Sequence, residues 1–282
     1  MKLAVIQMNS GPDVPKNLEV AWVLMEQAVA SDGADWLLLP EHFQCAGGSA
    51  AQRKASAEVL GEGPAYAMCQ RFAREKGVYV HAGSLYEALP GDRRIANTTV
   101  VFNRSGEQIA LYRKIHLFDI TGPGGIEYRE SDTVARGDAI VIYEAEGVRF
   151  GCAICYDLRF PELFRALSEK GADVIALPAA FLLHTGKDHW EPLLRARAIE
   201  NQVYVAASGS WGAVERDGRL HHTWGRSMIV DPWGIVLARA CDRAGHIVAE
   251  LDLGRQFEIR ARLPSLANRR PEAYRWPVAE TI

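Results

Sequence analysis

GADWLLLPEHF, residues 33–43, and GADVIALPAAF, residues 171–181, agree at six of eleven positions. Each follows a stretch with helical periodicity, opens on a glycine suited to ending a helix, and runs through apolar residues to Leu-Pro. A short apolar run after a helix stop reads as a strand buried on both faces, as in parallel sheets covered by helices. Helix stop, strand and turn could select similar residues independently, so the echo has a local explanation. Its larger one is two pseudo-symmetric α/β halves, each contributing one sheet. The sheets would pack face to face with helices outside, a four-layer αββα sandwich in a single domain spanning residues 1–282.

The flanking chain supports strand–helix alternation. LAVIQM near the N-terminus is a strand, and Leu18, Trp22, Met25 and Val29 recur at helical spacing between Asn17 and Ala30. Pro64 opens a second helix and Gly77 closes it. VYVHAGSLYE follows as a strand, and TTVVFN with EQIALYRKIHL reads as a hairpin turning at Arg104-Ser105-Gly106. After a loop from Thr121 to Gly137 come strands AIVIYEA and VRFGCAICY, then a helix from Pro161 to Gly171. HWEPLLRARAIEN is helical, VYVAASG is a strand, MIVDPWGIVLA is a hairpin and HIVAELD is a late strand.

Composition narrows the function classes. A net charge of −3 and a pI near 6.3 leave no polybasic footprint for nucleic acid or anionic membrane. The longest apolar stretch, VIALPAAFLL, has ten residues and contains a proline, whereas a membrane span needs about 20. MKLAVIQMNSGP is too short in its apolar run for a signal peptide. Five scattered cysteines are unlike a disulfide framework and point to a reducing, cytoplasmic setting. Small molecules are the default partners.

The segment RFGCAICYDLRFPE, residues 149–162, carries two cysteines at C-x-x-C spacing. A redox pair needs both sulfurs on one side of a turn, yet the upstream residues are strand-like, and strand alternation sends Cys152 and Cys155 to opposite faces. A zinc site needs a second ligand pair, and Cys45, Cys69 and Cys241 are isolated while His221-His222 sits in a polar loop. The remaining reading makes Cys155 a nucleophile at a strand's C-terminal end and Cys152 a small core residue. Such a thiol needs a base and an oxyanion donor. His42, His116, His184 and His189 are all candidates for a Cys–His pair, and spacing does not choose among them.

Three segments together, LLLPEHF, YRKIHLFD and GCAICYDLRFPEL, resemble the nitrilase superfamily of carbon–nitrogen hydrolases. With HWEPLLRARAIEN and VDPWG downstream, the likeness runs from about Lys2 to Tyr274. It implies the αββα sandwich and a homodimer, with the C-terminal tail from about residue 264 at the dimer interface. It implies Glu41 as base, Lys114 and the Tyr156 N–H as oxyanion donors, and Cys155 as the nucleophile that forms a thioester. Glu130 stands where many members carry a second active-site glutamate, with Glu127 the competing candidate. No cofactor or metal is required by that chemistry.

The closest likeness is to the Nit branch, ω-amidase-like in YRKIHLFDITGPGGIEYRES and AFLLHTGKDHWE. That likeness implies that Arg159 and Thr185 bind a substrate carboxylate; the alternative for Arg159 is an internal ion pair with Asp157, Glu162 or another acid. His184 departs from the ω-amidase pattern and leaves acyl length open. The expected reaction is hydrolysis of a short dicarboxylic monoamide such as α-ketoglutaramate or succinamate, releasing ammonia. Alternatives are a nitrilase, a deaminated-glutathione amidase, an N-carbamoyl amino acid amidohydrolase or, from another class, a non-catalytic binding protein of the same fold.

Overall fold

The computed structural model describes residues 1–122, 125 and 127–273. The chain begins with β1 (Lys2–Gln7), α1 (Val14–Asp32), β2 (Trp36–Leu38), α2 (Ala50–Ala55), α3 (Pro64–Lys76) and β3 (Tyr79–Ala88). It continues with β4 (Ile95–Phe102), β5 (Gln108–Arg113), β6 (Asp119–Thr121), β7 (Glu127–Arg129), β8 (Val134–Ala135), β9 (Ile142–Ala145) and β10 (Val148–Cys152). Next come α4 (Pro161–Glu169), β11 (Val174–Ala179), α5 (Leu183–Asn201), β12 (Tyr204–Gly209) and the hairpin β13 (Trp211–Arg216) and β14 (Arg219–Trp224). β15 (Met228–Val230), β16 (Val236–Arg239), β17 (Gly245–Glu250) and α6 (Leu253–Arg262) complete it.

Two large sheets form, ordered β17-β1-β2-β3-β4-β5, with β8 beside β4, and β16-β15-β12-β11-β10-β9. β2 is the middle of three parallel strands, β1-β2-β3, and β11 is the middle of β10-β11-β12. Each parallel trio is flanked by antiparallel neighbours in the same sense, so the echoed segments occupy equivalent places. The echo therefore reflects the fold. Side-chain alternation explains why both strands are apolar throughout. Leu3, Val5, Trp36 and Leu38 meet the second sheet in one core, while Ala4, Ile6, Leu37 and Leu39 meet α1 and α3 in another. α4 and α5 cover the second sheet with Phe164, Leu167, Trp190 and Leu194.

Helix boundaries follow local chemistry. Asp13 accepts the Lys16 N–H to cap α1, and Gly33 ends it at φ 64°. Buried Glu58 accepts the Ala65 and Tyr66 N–H groups at the start of α3. Several elements escaped the sequence reading, among them the short strands β6, β7 and β8 in and beside the expected loop from Thr121 to Gly137. α2 is one short capped turn, and α6 is mostly polar. The β13–β14 hairpin contains His221 and His222, which the sequence assigned to a loop; the Asp217-Gly218 turn between its strands is a recognisable hairpin signal. β5 ends at Arg113, before Lys114, and β10 ends at Cys152, before Cys155. The last residues of the expected interface tail, 274–282, lie outside the described residues.

One polar cluster lies between the sheets. Trp36 Nε1 donates to Tyr143 Oη at 2.8 Å, and His81 Nδ1 lies 3.1 Å from the same oxygen. His81 is fully buried, and burial pushes its pKa down to about 3.

Candidate active site

Four strand ends converge on one buried cluster. Glu41 follows β2, Lys114 follows β5, Cys155 follows β10 and Ala180 follows β11. The ends of β2, β10 and β11 are carboxyl ends of parallel strands, where α/β folds present side chains to ligands. Gly83 in β3 lets that strand pass against the Glu41 segment, because a Cβ there would stand 2.1 Å from the Pro40 carbonyl oxygen. Cys155 sits in a 3₁₀ turn with φ 48°, a left-handed conformation of the kind that clusters at functional sites.

Lys114 is 2% exposed, and its Nζ lies 3.1 Å from Glu41 Oε1 and 2.9 Å from Glu130 Oε2. Glu130 also accepts the Phe118 N–H at 2.6 Å, which ties the loop after β5 to the lysine. Glu127 instead pairs with exposed Arg129 at 3.2 Å. The second glutamate at the lysine is thus Glu130, and it is not a solvated loop carboxylate. Glu41 Oε2 accepts the Ala180 N–H at 2.8 Å, while Oε1 accepts from Asn97 Nδ2 at 2.9 Å.

The charges sort as this geometry requires. Burial disfavours the Glu41 anion, but the Lys114 ammonium overrides it, assisted by Cys155 and Asn97, and holds the carboxyl below the usual range. Burial and then the Glu41 charge push the Cys155 thiol well up, against the opposing pull of Lys114. Burial works against the Lys114 cation, yet Glu130 and Glu41 keep it charged far above neutral pH. The resting cluster is therefore a neutral thiol facing a carboxylate, with an ammonium between two acids. Glu41, His42 and Glu130 place potential metal-binding atoms within 4.8 Å of one another, but the Lys114 ammonium already contacts both acids and would repel a cation.

Asp157 is the principal residue the sequence reading undervalued. It is fully buried and accepts from Ile154 N (2.8 Å), Tyr112 Oη (2.7 Å), and His116 N and Nδ1 (3.1 and 2.7 Å). These bonds join the Cys155 turn to the segment carrying Lys114. Asn97, on β4, was likewise missed; a lone Asn in an apolar strand was the available signal. Of the four histidines considered for Cys155, His116 is engaged by Asp157 and stacks on Phe160 at 3.6 Å. His42 lies beside Glu41, His189 contacts Arg159, and His184 is exposed away from the cavity wall. None of these four histidines hydrogen-bonds the Cys155 thiol, whose partners are the Glu41 carboxylate and the Ala180 backbone.

The cluster opens into a cavity of about 1160 Å³ whose wall includes Cys155, Tyr156, Arg159, Phe181 and Thr185. Arg159 is half-buried, its guanidinium 5.1 Å from the Phe181 ring centre and 6.0 Å from that of Tyr156. Nη1 reaches His189 Nδ1 at 3.2 Å, and among the described residues no carboxylate lies within 4.0 Å of the guanidinium. The ion pair considered from sequence is absent there, since Asp157 is spent on other donors. Cys152 is buried in the inter-sheet core, and both cysteines are free thiols. The C-x-x-C spacing separates them because the strand ends at Cys152 and a turn begins at Cys155.

Comparison with known proteins agrees with this architecture. The family model for carbon–nitrogen hydrolase matches residues 2–261. A deaminated glutathione amidase from Synechocystis is 40% identical, over 94% of this chain and 97% of that protein. Omega-amidase NIT2 of Xenopus tropicalis is 38% identical, over 97% of this chain and 96% of that protein. The NitFhit protein of C. elegans superposes with a TM-score of 0.89 at 34% identity, over 97% of this chain and 66% of the longer protein.

Proposed function

This chain belongs to the carbon–nitrogen hydrolase family, and from that premise we propose that it hydrolyses the terminal amide of a small carboxylated monoamide, with Cys155 as nucleophile. The observation that carries the substrate class is the Arg159 guanidinium, held against aromatic walls without a carboxylate partner among the described residues. A planar fork of that kind suits bidentate carboxylate binding. Thr185 lines the same cavity, its hydroxyl donating to the Leu182 carbonyl at 3.4 Å.

The Cys155 sulfur attacks the amide carbon as its proton passes to Glu41, which is already ionised in the resting state. The resulting oxyanion is met by the Lys114 ammonium and the N–H of Tyr156; each such donor is worth about 10²–10³ in rate. Collapse breaks the C–N bond, and the Glu41 proton leaves with ammonia. Water then attacks the thioester, giving a proton to Glu41; collapse releases the carboxylic acid and returns the proton to sulfur. Glu130 holds Lys114 in place through its two oxygens. The sequence needs no metal or organic cofactor.

A second reading, a bulkier amine on the leaving side, is favoured by the cavity volume of about 1160 Å³, generous for a five-carbon acid. One relative is named for deaminated glutathione, a larger substrate of that kind. We read residues 1–282 as one domain in a reduced, cytoplasmic setting, consistent with five free cysteines. No helix among the described residues is long and apolar enough to cross a membrane. A second copy of the chain would cover the apolar residues Ile199, Trp233, Ile235, Leu237 and Phe257, which are exposed on α5, α6 and around β16. Turnover of a panel of amides and nitriles, with and without a terminal carboxylate and with a substituted amine, tests the assignment. Preference for carboxylated amides is the expected result; a nitrile preferred by a wide margin would overturn it.

A further inference from the structure

His42 takes no part in these steps, yet it is buried beside Glu41 in a left-handed conformation with φ 55°. Its ring stacks on Tyr86, centres 4.1 Å apart. Nε2 lies 3.3 Å from Asn97 Nδ2, and Nδ1 is buried with no hydrogen-bond partner. Burial pushes the ring's pKa down to about 3; Glu41 opposes this, while Lys114, Arg216 and Arg53 reinforce it. The imidazole is therefore neutral, with one N–H and one lone pair.

An amide nitrogen only donates, so the His42 nitrogen facing it must accept and Nδ1 must carry the hydrogen. The reverse orientation of the amide would set Asn97 Oδ1 against carboxylate oxygens of Glu41 and Glu130, a repulsive arrangement. Asn97 Nδ2 thus has two hydrogens for three neighbours: Glu41 Oε1 at 2.9 Å, His42 Nε2 at 3.3 Å and Glu130 Oε1 at 3.4 Å. Glu41 Oε1 also accepts from Lys114 Nζ at 3.1 Å, which engages both its lone pairs. Glu41 Oε2 accepts one backbone N–H, from Ala180, and keeps a lone pair.

We propose that His42 and Asn97 form a positioning relay behind Glu41: neutral His42 takes one Asn97 hydrogen, aims the other at Oε1, and so leaves Oε2 to carry the catalytic proton. The relay rests on Glu41 being the base, as proposed above. Both residues act through Glu41 rather than on the reacting atoms. A buried N–H without a partner is destabilising, and the unpaired Nδ1 is the consequence of keeping Nε2 an acceptor. The charged and titratable groups facing this unit are Lys114, Glu130 and Cys155 around Glu41, and Arg53, Arg216 and Tyr86 around His42.

The test is ammonia release from succinamate by the full-length chain, across pH, for His42→Phe, His42→Asn, Asn97→Ala and the Asn97→Ala/His42→Phe double variant. His42→Phe keeps a ring against Tyr86 but removes the acceptor; kcat should fall about tenfold with KM within about twofold, and the acid limb should move to higher pH. Asn97→Ala should fall roughly 30- to 100-fold, and the double variant should be no worse, since a relay has one path to Glu41. A wild-type rate and pH profile in His42→Phe alongside a damaged His42→Asn would assign His42 to ring packing and overturn the relay. Strictly additive losses would overturn it as well. Should His42→Phe fail to melt cooperatively, an unshifted acid limb in Asn97→Ala is the refuting result. Glu41→Gln separates the two ideas: retained turnover there removes Glu41 as base, whereas an inactive Glu41→Gln beside an unaffected His42→Phe removes the relay alone.

Discussion

Replacing Arg159 with Met removes a cation that contacts two aromatic rings and His189 but no carboxylate among the described residues. No buried anion is left unpaired by the change, so the fold should survive it. A bidentate guanidinium–carboxylate contact comprises two charge-assisted hydrogen bonds, each worth about 1.5–3 kcal/mol when desolvated. Arg159 is only half-buried, so the lower end applies: about 3 kcal/mol, or roughly 100-fold in kcat/KM. Arg159→Lys keeps the charge but loses the fork, and about half of that free energy should go, roughly tenfold. The assay is ammonia release from succinamate and from butyramide, its neutral analogue. Losses confined to succinamate are expected. Equal losses on both amides would show that Arg159 supports the wall rather than the substrate, and the carboxylate assignment would fall.

Cys155→Ala should abolish turnover with an unchanged melting curve, while Cys152→Ala should keep most activity and lose about 1–2 kcal/mol of stability on denaturant titration, as expected for a core truncation. Glu130→Gln should lower kcat by about 10- to 100-fold by loosening Lys114, whereas Glu127→Gln should be near wild type in the same assay. Acid should destabilise the fold through His81. Its pKa is depressed from 6.5 to about 3 in the native state, so the unfolded chain binds the extra proton. The stability is fully present above pH 6.5 and is lost progressively as pH falls toward 3, by about 2 kcal/mol at pH 5. Melting temperatures from pH 7 to 4 should fall less steeply in His81→Phe than in wild type; parallel curves would refute the assignment.

Most strands of the two large sheets and most helices were legible because apolar period, prolines at helix starts and glycines at helix ends are local signals. α1, α3, α4 and the two parallel trios all carry them. α6 was illegible because its side chains are mostly polar and its capping comes from a single Asp252 bond. The β13–β14 hairpin had its Asp-Gly turn but lacked clean alternation.

The residue types at the site could be read from three short motifs, and the equivalence of the two echoed segments from their six shared positions, because both are properties of contiguous chain. Which glutamate meets Lys114, and which residues beyond its own turn engage Asp157, are properties of residues 16 to 45 positions apart. Strand order and packing set those distances. Sequence alone therefore determined that a thiol, a carboxylate and an amine were available in this fold. Tertiary structure decided which oxygen faces which donor, because only the convergence of four strand ends from two sheets brings Glu41, Lys114, Cys155 and Ala180 together beside Asn97 of β4.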